Sequence, residues 1–439
     1  MKKKILFLFA FILLFSSLLM LSVSAEEETP DTSKVENIYV YNIENDKVLY
    51  TKNQKDKIAP ASTVKMMTGI IAIEHYKDRF GDTITIKKES LEGCLGKKIY
   101  LKEGENVTVE DLINATVCGG ANDAANVLAY EIAGSVDAFV TMMNDKAKSI
   151  GMKNTNYTNP NGYSDASMYT TAEDTAILAK YVYQNVEFMD ICSKTFYTMP
   201  KNNISKTRYV YNSNYFIGTN VETKYKNSEV KGMNAGSTVE GGGVLVTSVS
   251  KKGITNIYVM MGAQQDESNI YSYLTADKFI DWSYDSFGYK KIVDPGEMVC
   301  EMEVKLSSTV DYVVLSPDKT IEVYLPSSVD LNKDIKREIK LFEKKLEAPV
   351  GAGHVAGTMT LTYEGKVIGE VNLVTKNNVD RNGFLYLMAR IESLTKSPKF
   401  KITIFCVIAC VLIYSVSTVY AKSRRSKYRY KYTNKRKKK

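Results

Sequence analysis

Two residues whose side chains could together perform nucleophilic chemistry lie near the start of the chain. Ser62 and Lys65 are three positions apart, and residues with this spacing share one face of a helix. A serine hydroxyl attacks a carbonyl when another group accepts its proton, and a lysine that is held neutral can act as that base. Since the chain has only two histidines, the pair predicts a serine nucleophile with a lysine base.

The serine–lysine spacing alone is a weak signal, because the chain contains five such tetrads. Ser248 and Ser316 begin tetrads in strand or turn patterns, where positions three apart point in different directions. Ser62 instead follows shortly after a proline and opens an apolar helix that is predicted to run to about Tyr76. Backbone N–H groups at such a helix start favour an oxyanion. The plainer alternative is a helix-capping serine with a solvent-exposed lysine.

Both ends of the chain carry apolar runs that predict membrane targeting. Residues 1–25 combine three lysines, an apolar run and small residues at the end, which is typical of a signal peptide, with an uncleaved anchor as the alternative. Residues 402–421 carry no charge and are long enough to cross a bilayer, and the tail 422–439 is basic. We therefore expect a single-pass protein of the cell membrane, with its body extracellular and its basic C-terminus cytoplasmic.

The net charge of +8 is a misleading guide to partners. Sixteen of the 58 basic residues lie in residues 1–25 and 399–439, which contain no acidic residue, so residues 26–398 carry 42 basic and 50 acidic side chains. The outer body is therefore acidic, and we expect no nucleic acid partner. The cysteines do not have the spacing of a metal site, so neither a metal nor a cofactor is expected.

Hydrophobic patterns divide the exported body into two domains between a leader, residues 26–34, and a juxtamembrane segment, residues 381–401. Residues 35–288 mix strand and helix patterns, which favours a sheet packed against helices. Residues 289–380 alternate apolar and polar positions in short runs, which predicts a small all-β domain. The elements expected in the first domain are a hairpin at Ile38–Tyr41 and Val48–Tyr50, helices at Ser62–Tyr76, Val109–Gly134 (broken at residues 118–120), Ala172–Tyr183 and Thr275–Phe287, and strands at Val230–Met233, Val244–Val249 and Ile254–Met261. Thr171 followed by Asp174 predicts a cap at the start of the third of these helices.

The first domain resembles the serine D-alanyl-D-alanine carboxypeptidases, the low-molecular-mass penicillin-binding proteins, over residues of about 35–285. The family's three motifs and a further stretch match in order and spacing, at Lys57–Gly69, Asn122–Ala129, Asn156–Tyr163 with Tyr169–Asp174, and Val230–Thr238. The β domain resembles that family's C-terminal domain at Ala348–Val350 and Gly365–Val371. The resemblance implies an α/β (α+β) fold of the serine β-lactamase type, a mostly antiparallel sheet with helices on both sides and a helical lobe, followed by the small β domain and a transmembrane helix.

The resemblance also implies an activity, the removal of the terminal D-alanine from peptidoglycan stem peptides. Ser62 would attack the carbonyl between two D-alanines, Lys65 would accept its proton, and the backbone N–H groups of Ser62 and Ser237 would hold the oxyanion. Asn122 would position Lys65 or bind a peptide carbonyl, with a bond that only shapes a turn as the alternative. Water would then release the acyl-enzyme, and β-lactams are expected to acylate the same serine.

Two of the family's three motifs are altered in this chain. The second motif, Ser-x-Asn, reads Gly-Ala-Asn at 120–122, so the hydroxyl that relays a proton to the leaving amine is missing. The third, Lys-Thr-Gly, reads Asn-Ala-Gly at 234–236, so the cation that holds the substrate carboxylate and the neighbouring hydroxyl are missing. The residues expected to line the substrate site are Gly120, Asn234, Ala235, Gly236 and Ser237.

These losses leave more than one function open. Without a lysine at 234, Lys65 is expected to be more easily protonated and a poorer base. Lys231 is the nearest cation in sequence but faces the other side of the strand. A tyrosine of the Tyr209–Tyr225 region is a candidate source of a substitute hydroxyl, with surface exposure as the alternative. The sequence therefore predicts a slow carboxypeptidase or a catalytically impaired member that binds cell-wall peptide, or regulates a partner, without turnover. A β-lactam-hydrolysing or β-lactam-sensing protein is a weaker third interpretation.

Overall fold

The structure is a computed structural model that describes residues 29–217 and 223–436. These residues form two compact units, the first extending to Gly288 with residues 326–328, and the second comprising the remainder. The mixed α/β fold class, the C-terminal β domain and the apolar C-terminal helix predicted from the sequence are confirmed. The predicted signal peptide, residues 1–25, lies outside the described residues, and the predicted domain boundaries remain predictions.

A five-stranded antiparallel sheet forms the centre of the first unit. The strands of this unit are β1 (Asn37–Asn42), β2 (Lys47–Lys52), β3 (Thr83–Thr85), β4 (Asn106–Thr108), β5 (Phe196–Met199), β6 (Arg208–Tyr211), β7 (Val230–Thr238), β8 (Gly242–Lys251) and β9 (Ile254–Ala263). β3 pairs with β4, and β5 with β6, in two separate two-stranded sheets. The order across the sheet is β2-β1-β9-β8-β7. Every residue of β1 is buried, because Ile38 and Val40 enter one apolar cluster and Tyr39 and Tyr41 enter another on the opposite face.

Helices cover both faces of this sheet. They are α1 (Val64–Tyr76), α2 (Val109–Val117), α3 (Asn122–Ala133), α4 (Val136–Ser149), α5 (Ala172–Tyr183), α6 (Val186–Cys192) and α7 (Tyr271–Ser286). Helix α1 is apolar on nearly all sides, and Met66, Met67 and Ile70 are at most 1% exposed. A helix of this composition lies at the centre of a domain. The lysine that it carries in its first turn, Lys65, is therefore enclosed by protein.

Most of the elements predicted from the sequence are present, and the differences have local causes. The expected helix break lies between α2 and α3, and α5 begins as predicted with Thr171, whose side chain accepts from the Asp174 N–H. Strand β7 extends to Thr238, beyond the predicted Met233. The residues after Met233 have low strand propensity, but their pairing with β8 keeps them in the sheet. Helix α7 begins at Tyr271 rather than Thr275.

Ser62 lies in a tight turn rather than in the α-helix itself. Residues Ala61–Thr63 form a single turn of 3-10 helix before α1, and both the N–H and the hydroxyl of Thr63 donate to the Pro60 carbonyl. Ala61 has a φ of +47°, a left-handed conformation that is strained for a residue with a side chain. The turn therefore needs support from its surroundings.

That support comes from a loop, residues 159–163, which packs on the turn. The Thr68 hydroxyl of α1 donates to the Pro160 carbonyl at 2.6 Å. Gly162 has a φ of +74°, and a Cβ at this position would overlap the Ala61 carbonyl oxygen. The glycine thus allows the loop to lie directly against the turn that carries Ser62.

The second unit contains a six-stranded sheet of order β14-β16-β17-β12-β11-β15 and a two-stranded pair, β10-β13. Its strands are β10 (Phe287–Val293), β11 (Cys300–Lys305), β12 (Tyr312–Pro317), β13 (Ile321–Pro326), β14 (Lys336–Leu341), β15 (Leu346–Glu347), β16 (Val355–Tyr363) and β17 (Lys366–Thr375). Alternate residues such as Met359, Leu361 and Leu373 form its apolar core. Two helices follow, α8 (Gly383–Lys396) and α9 (Pro398–Arg436). By length and composition, residues Pro398–Ser426 of α9 could cross a membrane.

Replacing Gly162 by alanine tests the packing between the loop and the turn. Gly162→Ala should lower the free energy of unfolding of the first unit by about 1–3 kcal/mol more than Gly134→Ala does, because overpacking has that cost. Gly134 is the control, since it has a similar φ of +77° but no atom within 4 Å of an added Cβ. Urea unfolding followed by the fluorescence of Trp282, the single tryptophan, measures the difference. Equal losses in the two variants would contradict the contact.

Candidate active site

A cleft of about 820 Å³ in the first unit collects most of the site residues predicted from the sequence. It is lined by Ser62, Lys65, Gly120, Asn122, Ala235, Gly236 and Ser237. Asn234 is the exception, because it is 2% exposed within β7 and does not line the cleft. Its side-chain oxygen is buried without a hydrogen-bond partner.

Ser62 faces the edge strand of the sheet. A Cβ placed on Gly236 would overlap the Ser62 Oγ, so the glycine allows β7 to approach the serine closely. Ser62 is partly exposed, and Ser237, the next residue along β7, is exposed. The serine hydroxyl and the backbone of β7 are therefore brought together at the floor of an open cleft.

Lys65 is 3% exposed, and its Nζ donates to the Asn161 carbonyl at 2.5 Å. No carboxylate forms an ion pair with this amine within residues 29–217 and 223–436. Burial, which penalises the ammonium form, lowers the pKa of Lys65 to about 7, and the positive charge of Lys97 acts in the same direction. The amine is therefore neutral for much of the time near pH 7, although its recorded partner is a carbonyl rather than the Ser62 hydroxyl.

The Asn161 carbonyl, which accepts the hydrogen bond from the Lys65 amine, is held in place by further hydrogen bonds. The Asn161 side chain donates to Asn126 of α3 at 2.8 Å, and its oxygen accepts from the Tyr163 N–H at 2.7 Å. Both asparagines are buried, so these bonds are shielded from water. The loop that supports the Ser62 turn therefore also orients the Lys65 amine.

Asn122 begins α3 and holds a neighbouring loop, residues 94–98, against the cleft. Its backbone N–H donates to the Lys97 carbonyl at 2.7 Å, and its side-chain amide donates to the Leu95 carbonyl at 2.6 Å. The side-chain oxygen is buried and has no partner. Asn122 therefore has a structural role in the loop, and its unpaired side-chain oxygen is buried beside the cleft.

Two residues that the sequence analysis did not single out lie beside Gly120. A Cβ on Gly120 would stand 3.6 Å from the Ser213 Oγ and 3.9 Å from the Lys97 Nζ. Neither residue belongs to a recognisable motif, and both come from segments distant in sequence, so no local pattern could have identified them. Within the Tyr209–Tyr225 region, Tyr215 lines the cleft and Ser213 places a hydroxyl beside Gly120, whereas Tyr209 is 61% exposed.

The remaining substitute considered from the sequence does not reach the site. Lys231 is exposed and does not line the cleft. The pairing of β7 with β8 shifts between Lys231 and Asn234, but the two residues still differ in exposure, one in solvent and one in the protein interior. The prediction that Lys231 faces away from the site agrees with this arrangement.

Comparisons with known proteins agree with this fold. Residues 24–265 match the family model of the D-alanyl-D-alanine carboxypeptidases, and residues 287–381 match that of the penicillin-binding protein 5 C-terminal domain. The D-alanyl-D-alanine carboxypeptidase DacF of Bacillus subtilis is 29% identical over 78% of this chain and 85% of its own length.

Solved structures share the fold. Penicillin-binding protein 5 from Haemophilus influenzae is 26% identical, with a TM-score of 0.57 over 81% of this chain and 100% of that chain. The D-alanyl-D-alanine carboxypeptidase DacD from Francisella tularensis is 21% identical, with a TM-score of 0.59 over 84% of this chain and 98% of that chain. The chain belongs to the D-alanyl-D-alanine carboxypeptidase family, peptidase S11, and carries the penicillin-binding protein 5 type of C-terminal domain.

Proposed function

We propose that the protein is a serine-type D-alanyl-D-alanine carboxypeptidase that removes the terminal D-alanine from peptidoglycan stem peptides. The observation that carries this proposal is the buried Lys65 amine, which has a pKa near 7 and lies in the same cleft as Ser62. A base is most effective when its pKa lies near the working pH. A lysine with an ordinary pKa would be almost fully protonated there and could not accept the serine proton.

The proposed reaction begins with a proton transfer from the Ser62 hydroxyl to the Lys65 amine. The serine oxygen attacks the carbonyl between the two D-alanines, and the backbone N–H groups of Ser62 and Ser237 stabilise the oxyanion. The leaving D-alanine amine takes the proton back from Lys65 as the peptide bond breaks, which leaves an ester on Ser62. Water then gives a proton to Lys65 and attacks the ester, and the proton returns to the Ser62 oxygen as the shortened peptide leaves.

Two features of the substrate-free site fit this reaction. The Lys65 amine is bonded to the Asn161 carbonyl, and catalytic hydrogen bonds commonly form or tighten only when substrate binds. The unpartnered oxygen of Asn122 can accept a hydrogen bond from a peptide N–H of the substrate. We propose this as an additional binding role beside the peptide carbonyl considered from the sequence, since the bond to Leu95 uses one of the two N–H donors of the amide.

We place this reaction at the outer surface of the cytoplasmic membrane. The support is the apolar stretch Pro398–Ser426 of α9, followed by a tail that carries eleven basic residues and no acidic ones in 422–439. Positive flanking charge favours a cytoplasmic location for such a tail. A single span would then leave the carboxypeptidase unit on the side where peptidoglycan lies.

A second function is favoured by the groups that the cleft lacks. Gly120, Asn234 and Ala235 remove two hydroxyls and one cation from the family's motifs. Charge-assisted hydrogen bonds are worth roughly 1.5–3 kcal/mol each, so the loss of two would slow turnover by about two orders of magnitude or more. A protein weakened to that degree would bind cell-wall peptide, or regulate a partner, without useful turnover.

Labelling with a fluorescent penicillin tests the proposed nucleophile. We expect a covalent adduct on the wild-type protein that is absent from Ser62→Ala, because β-lactams acylate a live serine of this type. Ser393→Ala is the matched control, since Ser393 begins another serine–lysine tetrad in α8 but is exposed, and its partner Lys396 is ion-paired with Glu392. Mass spectrometry of the intact protein measures the adduct. Absence of any adduct on the wild-type protein across pH 6–10 would remove the hydrolase proposal.

Restoring one missing hydroxyl separates a slow enzyme from a binding protein. Ala235→Thr should raise kcat/KM for D-alanine release from a stem pentapeptide by roughly tenfold or more, because one charge-assisted hydrogen bond to the substrate carboxylate is regained. Ala235→Val has nearly the same shape without the hydroxyl and should show no gain. Identical rates for the two variants would argue against this assignment of residue 235, and no D-alanine release from any of the proteins would favour the binding function.

A further inference from the structure

The volume beside Gly120 is bordered by the same two kinds of group that the altered motifs have lost. The altered motifs lack hydroxyls at 120 and 235 and an ammonium at 234. Ser213 Oγ and Lys97 Nζ lie 3.6 Å and 3.9 Å from the position where a Cβ on Gly120 would stand. The hydroxyl of Ser213 is buried and has no hydrogen-bond partner. A hydroxyl and an ammonium are therefore present at this point of the cleft, but they come from other segments.

The backbone holds Lys97 where its amine reaches the site. Its carbonyl accepts from the Asn122 N–H at 2.7 Å, and the Leu95 carbonyl accepts from the Asn122 side chain at 2.6 Å. The loop is thus attached to the start of α3, next to Gly120. Gly120 has a φ of +68°, a conformation that favours glycine, and the absence of a side chain there leaves the space that the Lys97 amine borders.

The charge of Lys97 is not balanced by a neighbouring anion. Although much of the Lys97 side chain is exposed, its amine lies in the cleft and makes no ion pair or hydrogen bond with any residue that the structure describes. The partial enclosure lowers its pKa. An unpaired cation inside a cleft attracts an anionic ligand and repels a second cation.

The other titratable groups around the two lysines do not cancel this charge. Cys94 lies near Lys65 and Cys118 near Lys97, and burial raises the pKa of these thiols to about 11 and about 12, so both are neutral at pH 7. The carboxylates that line the cleft are Glu36 and Glu240, and Glu240 accepts a hydrogen bond from Ser164. Neither carboxylate pairs with Lys65 or Lys97.

We propose that Lys97 supplies the positive charge that Asn234 lacks, with Ser213 as the hydroxyl beside it. Lys97 keeps Lys65 unprotonated by like-charge repulsion and attracts the terminal carboxylate of the stem peptide. The second role rests on the proposed function, whereas the first concerns this chain's own residues and holds with or without turnover. The chain thus replaces two lost motif residues with two residues at unrelated sequence positions.

The ionisation of Lys65 tests the first role in the full-length protein. A small amine-reactive reagent is applied across pH 5–11, and mass spectrometry of the Lys65 peptide gives the midpoint of labelling. Lys97→Met should raise this midpoint by about one pH unit, whereas Lys97→Arg, which keeps the charge, should leave it unchanged. Lys231→Met is the matched control because Lys231 is exposed outside the cleft. Adding Asn234→Lys to Lys97→Met should return the midpoint toward the wild-type value, which a merely structural role of Lys97 would not predict.

The preference for a free carboxylate tests the second role. The ratio of kcat/KM for a peptide ending in D-alanyl-D-alanine to that for its C-terminal amide should fall about tenfold in Lys97→Met and be retained in Lys97→Arg. An unchanged Lys65 midpoint and an unchanged ratio in Lys97→Met, in a protein that turns over the peptide, would overturn this inference and leave the proposed function standing. A shifted midpoint in a protein that never releases D-alanine would support the charge role of Lys97 and overturn the proposed function.

Discussion

The site depends on the burial of one amine. Lys65 lies in the first turn of a helix that is apolar on nearly all sides, and its Nζ donates a hydrogen bond to a backbone carbonyl. Transfer of an ammonium ion into such surroundings without an anion costs several kcal/mol, so the group releases its proton instead. The same burial that the fold needs for a core helix thus lowers the pKa of Lys65 to about 7, as its proposed role as a base requires.

The other parts of the site follow from how closely backbones approach one another. Gly162 lets the loop 159–163 lie on the turn that carries Ser62, and Gly236 lets β7 lie against the serine itself. The loop that supports the turn also supplies the carbonyl that accepts the hydrogen bond from the Lys65 amine. Ser62, Lys65 and the edge of β7 are therefore linked through one set of contacts, and a change in the loop should affect all three.

The sequence predicted those features that arise from local patterns. The β1–β2 hairpin, the break before α3 and the cap of α5 each have a signal within a few residues, such as Thr171 followed by Asp174. From the sequence, Lys65 was expected to be a poorer base because position 234 carries no lysine, and this expectation took only the third motif into account. Burial and Lys97 both lower the pKa of Lys65. Lys97 and Ser213 could not be predicted, because they reach Gly120 through tertiary contacts without a motif.

A titration of the wild-type protein with 13C-labelled lysine, followed by NMR at the Cε carbons, tests the central claim most directly. The Lys65 signal is assigned by its loss in Lys65→Arg. We predict that this signal titrates with a midpoint near pH 7, as the lowered pKa of about 7 requires, well below the ordinary lysine value of 10.5. A Lys65 midpoint close to 10.5 would mean that the amine stays charged at neutral pH, and Ser62 would then have no base.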